Sequence, residues 1–295
     1  MLRNTDKGLK LGHPLGLVVP RYEPYAESTG GANAAGSGGT DFAVGAVANT
    51  KTGWTQIIAS SSQRADGLLI TVSPSNVATA DYLVDIGIGG AGSETVLLSN
   101  LLYSVGSSAT GFGPISIFCP IYVAPGTRIS ARAQSSDTSA VGVSVIVRLI
   151  KGGTAERIRS TVATTYGADT SDSGGTAVDP GGSAHTKGAW TEISASVSVG
   201  FDSCLLLFGQ RNNASNANQN MLLDIGVGAS GSESVIFADM YMRILDVEQI
   251  YPNCIWLPIS VKPGQRLAAR CQCSGIDATD RVIDLVVVGF SGGPK

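Results

Sequence analysis

Four charged side chains occur twice in this chain at nearly the same spacing, and they are the first candidates for chemistry. A pair of carboxylates could bind a metal ion or a glycan, or serve a glycosidase as acid and base. Arginines beside them could instead form ion pairs that hold loops to a sheet. Charged residues make up only 15% of the chain, so we interpret their repetition as a structural ion-pair network. The two sets are Asp85, Glu94, Arg128 and Arg132, and Asp224, Glu233, Arg266 and Arg270.

Two glycine-rich motifs fit the dinucleotide fingerprint Gly-x-Gly-x-x-Gly, one beginning at Gly87 and one at Gly226. The fingerprint binds a pyrophosphate where a helix starts at its third glycine, with an acidic residue about twenty positions later. No acidic residue stands at that distance after Gly92. The segments that follow, 93–102 and 232–241, are compatible with helix or strand. We expect glycine-rich turns with positive φ, and no nucleotide or other cofactor.

Other catalytic signatures are missing from the sequence. The two histidines, His13 and His185, do not share a repeat position, because His185 aligns with Asn49. The sequence contains no nucleophile elbow, no zinc-protease motif and no Cys-x-x-Cys pair. We predict a protein that is not an enzyme and has no metal site, although a hydrolase built on carboxylates alone stays open.

The cysteines and tryptophans also favour structural roles. Cys271 and Cys273 alternate with polar residues, which is typical of small core side chains. The total of five cysteines is odd and they do not follow the repeat, which argues against a disulfide framework inside each domain. A disulfide between subunits stays open. Trp54 and Trp190 recur at one repeat position, where an anchor at the core edge is favoured over a platform for sugars.

An internal duplication carries all of these motifs. The segment 50–57 (TKTGWTQI) returns as 186–193 (TKGAWTEI), and the Asp-Ile-Gly and Pro-Gly-x-Arg motifs return in the same order. The offset between the copies drifts by only a few residues. Solenoid repeats are about 20 to 50 residues long, so this much longer period indicates two duplicated domains.

Domain boundaries follow from the repeat and from composition. We assign residues 37–150 to the first copy and residues 173–291 to the second. Residues 1–36 are expected to form an extended N-terminal arm followed by a flexible Gly/Ala/Ser-rich link. Residues 151–172 are expected to form a linker, in which 157–165 is compatible with a short helix or a strand.

Alternation with period two predicts strands in both copies. Ile129, Ala131 and Ala133 fall on one face of a segment whose other face is polar, and the apolar runs 68–72 and 204–208 suit buried strands. Turn residues separate such segments about every 8 to 12 residues. Each copy has room for about eight strands. We predict an all-β protein of two tandem, antiparallel β-sandwich domains of the jelly-roll type.

Composition limits the partners of the chain. With 295 residues, 43% of them hydrophobic, the chain is long enough for two cores. A net charge of −3 without a long basic run predicts no nucleic acid. No run approaches the roughly 20 apolar residues of a membrane helix and no signal peptide is recognisable. We therefore expect synthesis in the cytoplasm and no membrane insertion.

The repeated motifs resemble domains of virion proteins of tailed bacteriophages over about residues 37 to 290. The motifs are Thr-Lys-x-x-Trp, Asp-Ile-Gly-x-Gly-x-x-Gly-Ser-Glu and Pro-Gly-x-Arg-x-x-x-Arg. The resemblance implies a non-enzymatic virion component, such as a capsid decoration, neck or tail-fibre protein, that contacts itself as a homo-oligomer and other virion proteins. It supplies no catalytic residue. The alternative is a module on the virion surface that binds host glycans through its loops or a sheet face.

Overall fold

Strands dominate the structure, which is a computed structural model. It describes residues 26–32, 38–44, 47–74, 80–105, 113–137, 142–152, 155, 158–210, 219–245, 249–275 and 282–292. These residues form twenty β-strands, and all pairs between strands are antiparallel. Within the described ranges no helix is both long and apolar enough to span a bilayer.

The first nine strands form one sandwich, which we call the first domain. One sheet has the order β1-β9-β4-β7, with β2 also paired to β9, and the other has the order β3-β8-β5-β6. The strands are β1 (Ala26–Gly30), β2 (Thr40–Ala43), β3 (Thr55–Ile58), β4 (Gly67–Pro74), β5 (Ala80–Ile88), β6 (Thr95–Val105), β7 (Ile115–Cys119), β8 (Ile129–Ser135) and β9 (Gly142–Lys151).

The second domain repeats this topology. One sheet has the order β11-β12-β20-β14-β18, with β10 on β20, and the other has the order β13-β19-β15-β16-β17. The predicted all-β fold of two antiparallel sandwiches of the jelly-roll type is confirmed. The strands are β10 (Val162–Tyr166), β11 (Ala168–Asp169), β12 (Gly174–Val178), β13 (Thr191–Ser194), β14 (Ser203–Gln210), β15 (Gln219–Val227), β16 (Ser234–Leu245), β17 (Gln249–Tyr251), β18 (Cys254–Leu257), β19 (Leu267–Cys273) and β20 (Ile283–Ser291).

Strands β1 and β10 correct the predicted boundaries of the domains. They lie in the segments expected to be a flexible link and a linker, yet β1 pairs with β9 and β10 pairs with β20. Each is followed by a glycine with positive φ, Gly31 and Gly167, whose carbonyl accepts a 3.1 Å hydrogen bond from Thr40 and Thr176, respectively. Sequence composition did not predict β1, which consists mainly of small and polar residues, whereas β10 resolves the choice between helix and strand for residues 157–165 in favour of a strand. The predicted arm over residues 1–24 lies outside the described residues.

The two domains are joined by an apolar contact, which we call the seam. Strands β14 and β20 bury both of their faces, one in the second domain's own core and one against the first domain. Strand β6 of the first domain contacts β10, β14 and β20. The side chains that the second domain adds to the first core are Leu205, Leu207, Val286, Val288 and Phe290.

A buried carboxylate fixes the connection between the domains. Asp66 is fully buried and accepts 2.9 Å hydrogen bonds from the N–H of Gly152 and from Arg159 Nη1. Arg159 also lies 5.5 Å from the ring centroid of Tyr122. Burial alone would raise the pKa of Asp66, but the Gly152 N–H and the Arg159 guanidinium outweigh it and lower the pKa. The connection is therefore attached to the first domain by a charge-assisted pair.

Candidate functional site

Asp85 is the centre of a charged cluster on the outer face of the β3-β8-β5-β6 sheet. Its Oδ2 accepts a 2.9 Å hydrogen bond from Nε of Arg132, its partner across the β5–β8 ladder. Its Oδ1 accepts from Lys51 Nζ at 2.8 Å and from the backbone N–H of Asn100 at 2.8 Å. Asn100 has φ of 52° and lies where the β5–β6 register shifts. The carboxylate thus binds an N–H that the bulge removes from the ladder.

The second domain builds the same cluster around Asp224. Arg270 Nε lies 2.9 Å from Oδ2, Lys187 Nζ lies 2.6 Å from Oδ1, and the N–H of Asp239 donates to Oδ1 at 2.9 Å. Asp239, like Asn100, has φ of 52°. Burial alone would raise the pKa of Asp224, but the Asp239 N–H and the two cations lower it overall. The cluster therefore favours the ionised carboxylate.

Each repeated tryptophan lies beside this cluster. The six-membered ring of Trp54 contacts Gly87, where an added Cβ would lie 2.7 Å from ring atoms, and the guanidinium carbon of Arg132 lies 4.4 Å from the ring centroid. In the second domain Trp190 has the same two contacts, with Gly226 and with Arg270 at 4.5 Å.

This arrangement differs from the expected anchor at the core edge. Both rings are half-buried and lie outside the two hydrophobic cores. The reason is the glycine of the Asp-Ile-Gly motif, which leaves space for a ring on the outer surface of the sheet. An arginine covers the ring, so neither tryptophan is a bare platform for a sugar.

The remaining predicted residues form a second pair at the turn between β5 and β6. Glu94 Oε1 accepts a 2.6 Å hydrogen bond from Arg128 Nη1, and this bond holds the pKa of Glu94 below its usual range. Glu233 and Arg266 form the same 2.6 Å contact in the second domain, where Arg266 also binds Glu192 at 2.8 Å. Each acidic residue of the predicted set therefore lies against one predicted arginine.

The glycine-rich motifs are turns. Gly89 and Gly92 have positive φ, as do Gly228 and Gly231. Each turn leads directly into a strand, β6 or β16, and this settles the question of helix or strand for the segments after the motifs. A pyrophosphate site of the dinucleotide type needs a helix N-terminus at this point.

The carboxylates are poorly placed for catalysis. The side chains of Asp85 and Glu94 are only 4% and 3% exposed, and cations already occupy their oxygens. Among the described residues no three histidine, cysteine or acidic side chains group closely enough to hold a metal ion.

All five cysteines are free, and burial raises the pKa of the Cys119, Cys204, Cys254 and Cys271 thiols. High thiol pKa values disfavour nucleophilic thiolates.

The first cluster borders a cleft of about 620 Å³ between the domains, with polar and apolar walls, which we call the junction cleft. Gln134 of the first domain connects this cleft to the second domain. Its Nε2 donates to the carbonyl of Thr170 at 2.8 Å and to Ser173 Oγ at 3.0 Å. Ser173 Oγ donates in turn to Asn49 Oδ1 at 2.7 Å. The lining consists of Asn49, Thr50, Lys51, Asp85, Val96, Leu97, Ser99, Asn100, Arg132, Gln134, Ala163 and Thr170.

Sequence reasoning missed some members of these clusters. Lys51 and Lys187 stand in the repeated Thr-Lys-x-x-Trp motif, so their repetition was a usable signal. The contributions of Asn100 and Asp239 come from backbone N–H groups at a bulge, which side-chain identity does not reveal.

Comparisons with known proteins identify no family. No family model matches the chain, and no curated protein matches it. Several solved structures show distant similarity. A structure of PNGF-II has a TM-score of 0.36 and 7% identity over 82% of this chain, which spans 60% of the PNGF-II chain.

Two further structures match more of the chain at lower scores. The tandem CBM22-1–CBM22-2 domain of Paenibacillus barcinonensis Xyn10C has a TM-score of 0.28 and 13% identity, over 92% of this chain and 93% of that one. PNGase F from Flavobacterium meningosepticum has a TM-score of 0.29 and 12% identity, over 92% and 90%. At these values no activity, ligand or partner is transferred to this chain.

Proposed function

We propose that this protein is a non-enzymatic structural component of a tailed-phage virion that acts through protein–protein contacts, both with itself and with other virion proteins. The observation that carries the proposal is the seam, where one face of β14 and β20 of the second domain packs into the core of the first domain. A block of this kind presents two similar sandwich surfaces at a fixed separation, which suits repeated protein–protein contacts. The resemblance of the repeated motifs to virion domains supports the same role.

The charged clusters support this proposal because they are stabilising devices. In each domain, the cluster links a bulged strand to a neighbouring strand by an arginine–aspartate hydrogen bond and to a tryptophan by a cation–π contact. The acidic side chains are enclosed by cations, so a substrate has little access to them.

The location of the protein tests the proposal. Purified intact particles should contain the chain at a constant copy number relative to the major capsid protein, by quantitative mass spectrometry, and antibody labelling should show it on head, neck or tail. Extensive washing in high salt should leave the ratio unchanged. If the chain stays in the particle-free fraction of the lysate, the proposal is wrong.

A second candidate function, binding of host glycans, is favoured by the junction cleft. The cleft combines polar and cationic groups, such as Asn49, Thr50 and Lys51, with the apolar side chains of Val96 and Leu97 and with space for a small saccharide. A glycan array with the intact chain tests this candidate. Binding that Lys51→Ala reduces and Lys187→Ala leaves unchanged would support a site at the cleft. An array without any positive saccharide would exclude it.

A further inference from the structure

The seam shows which two faces of this domain pack together. On the first domain the face belongs to β5 and β6, where Leu102 is 1% exposed. On the second domain it belongs to β14 and β20. The two faces fit closely, because an added Cβ at Gly209 would lie 3.2 Å from Leu102 Cδ2. The contact is therefore heterologous: it joins two different faces of one fold.

The second domain carries the equivalent of the first face, and no part of the described chain covers it. Tyr241 on β16 takes the place of Leu102 in the strand pairing and is 58% exposed. Leu222 is half-buried, whereas its counterpart Leu83 is fully buried at the seam. We call this surface, on the outer side of β15 and β16, the presenting face.

The first domain carries the equivalent of the other face, which we call the receiving face. It lies on the outer side of β4, β7 and β9 and is half-buried, with Leu69, Phe118, Ile146 and Ile150 as its apolar side chains. It is more polar than its counterpart in the seam, because Arg148 stands where the second domain has Val288. A moderately polar face suits a contact that forms between separately soluble chains.

The charges on the two faces are complementary. In the seam, Val288 pairs across the sheet with Thr165, and Ser99 donates a 3.0 Å hydrogen bond to Thr165. Asn100 follows Ser99, and its counterpart on the presenting face is Asp239, whose side chain is 62% exposed and lies 3.0 Å from Lys187 Nζ of its own domain. The same stacking between two chains would bring Arg148 of one copy near Asp239 of another, which are of opposite charge.

We propose that the presenting face of one copy docks on the receiving face of a second copy, so that chains associate head to tail with the stacking that the seam already uses. This deepens the proposed structural role by naming its self-contact, and it rests on that role only in requiring self-association. Because the two faces differ, each added copy leaves one of each face free, and association continues into a filament unless a ring closes.

Sedimentation equilibrium of the purified full chain tests the proposal. The weight-average mass of the wild type should rise with concentration. Tyr241→Arg removes the presenting face and Ile146→Arg removes the receiving face, and each should weaken self-association about tenfold or more. An equimolar mixture of the two variants should form a dimer and nothing larger, because each variant supplies the face that the other lacks.

Melting temperatures equal to wild type verify that the variants are folded, and Leu222→Asp and Arg148→Glu replace any variant that is not. Two results would overturn the inference: a wild type that is monomeric at every concentration, or Ile146→Arg that associates like the wild type. The second result would indicate a symmetric contact through the presenting face alone. A monomer that is nevertheless present in virions would refute this inference and leave the proposed function standing.

Discussion

The carboxylate of Asp85 accepts a 2.8 Å hydrogen bond from the backbone N–H of Asn100, a residue that the bulge in β6 takes out of the regular ladder. Without that acceptor the N–H would be left on a largely covered sheet face, which is costly. The relation recurs between Asp224 and Asp239. In each domain, one acidic side chain therefore offsets the cost of the N–H that the bulge displaces from the ladder.

Removal of Arg132 tests the energetic value of this cluster. Arg132→Ala deletes the hydrogen bond to Asp85 and the cation–π contact with Trp54, so it should lower the free energy of unfolding by about 1 to 3 kcal/mol. Urea unfolding followed by circular dichroism measures the change. Lys262→Ala, at an exposed position before β19, is the surface control and should change stability by less than about 0.5 kcal/mol. Equal stability of Arg132→Ala and wild type would contradict the prediction.

Acid should destabilise the protein through Asp66 and Asp224. Both have a pKa below the ordinary value, which is about 4 in the unfolded chain. A lowered folded-state pKa gives a contribution to stability that is complete above the unfolded value and is lost as pH falls through the folded value. The free energy of unfolding should therefore decrease from about pH 4 downwards. Asp66→Asn should be less stable than wild type at neutral pH, and the difference should shrink in acid. A constant difference across this range would refute the assignment.

Gly87 should tolerate no side chain. The Cβ of Gly87→Ala would meet the Trp54 ring at 2.7 Å, so the ring must move away from Arg132, at a cost of about 1 to 3 kcal/mol. Near-ultraviolet circular dichroism and thermal melting report the two effects. Gly53→Ala is the control, because an added Cβ there meets nothing within 4 Å. If both variants behave alike, the glycine has no packing role.

The seam can be tested with one substitution at two equivalent positions. Leu205 is buried in the seam, and its counterpart Leu69 is half-buried on the receiving face. Leu205→Thr should cost about 2 to 4 kcal/mol, since it removes apolar contacts and buries a hydroxyl. Leu69→Thr should cost about 1 kcal/mol or less. Calorimetry at low protein concentration should show the two domains melting separately only in Leu205→Thr. Similar melting curves for the two variants would argue against a coupling role.

The predicted arm over residues 1–24 stays a prediction. It belongs to neither repeat, and three prolines disfavour a regular helix in it. Deletion of residues 1–24 should leave both domains folded, with unchanged melting, while the truncated chain fails to enter particles. Normal incorporation of the truncated chain would show that docking uses the sandwich surfaces instead.

The sequence predicts the fold better than it predicts the contacts between the domains. Alternation and the duplicated motifs sufficed for strands such as Ile129–Ser135, because period-two burial appears directly in residue order. Strand Ala26–Gly30 was missed, because its stability comes from β9 and not from its own composition. The sequence alone leaves the partner of Arg132 open between Asp85 and Glu94, since the register across β5 and β8 selects it.

The unequal faces of the seam have a consequence for biosynthesis. Translation delivers the first domain earlier, and domains fold as they emerge from the ribosome. Until the second domain is made, the first domain exposes its own side of the seam. This surface is partly apolar and partly polar, with Leu83 and Leu102 beside Ser99, Ser104 and Arg132. The much more apolar surface, which includes Leu207 and Phe290, belongs to the domain made later. The folded first domain is therefore already present when this apolar surface of the second domain forms. The most apolar sheet surface of the protein is covered as soon as it folds.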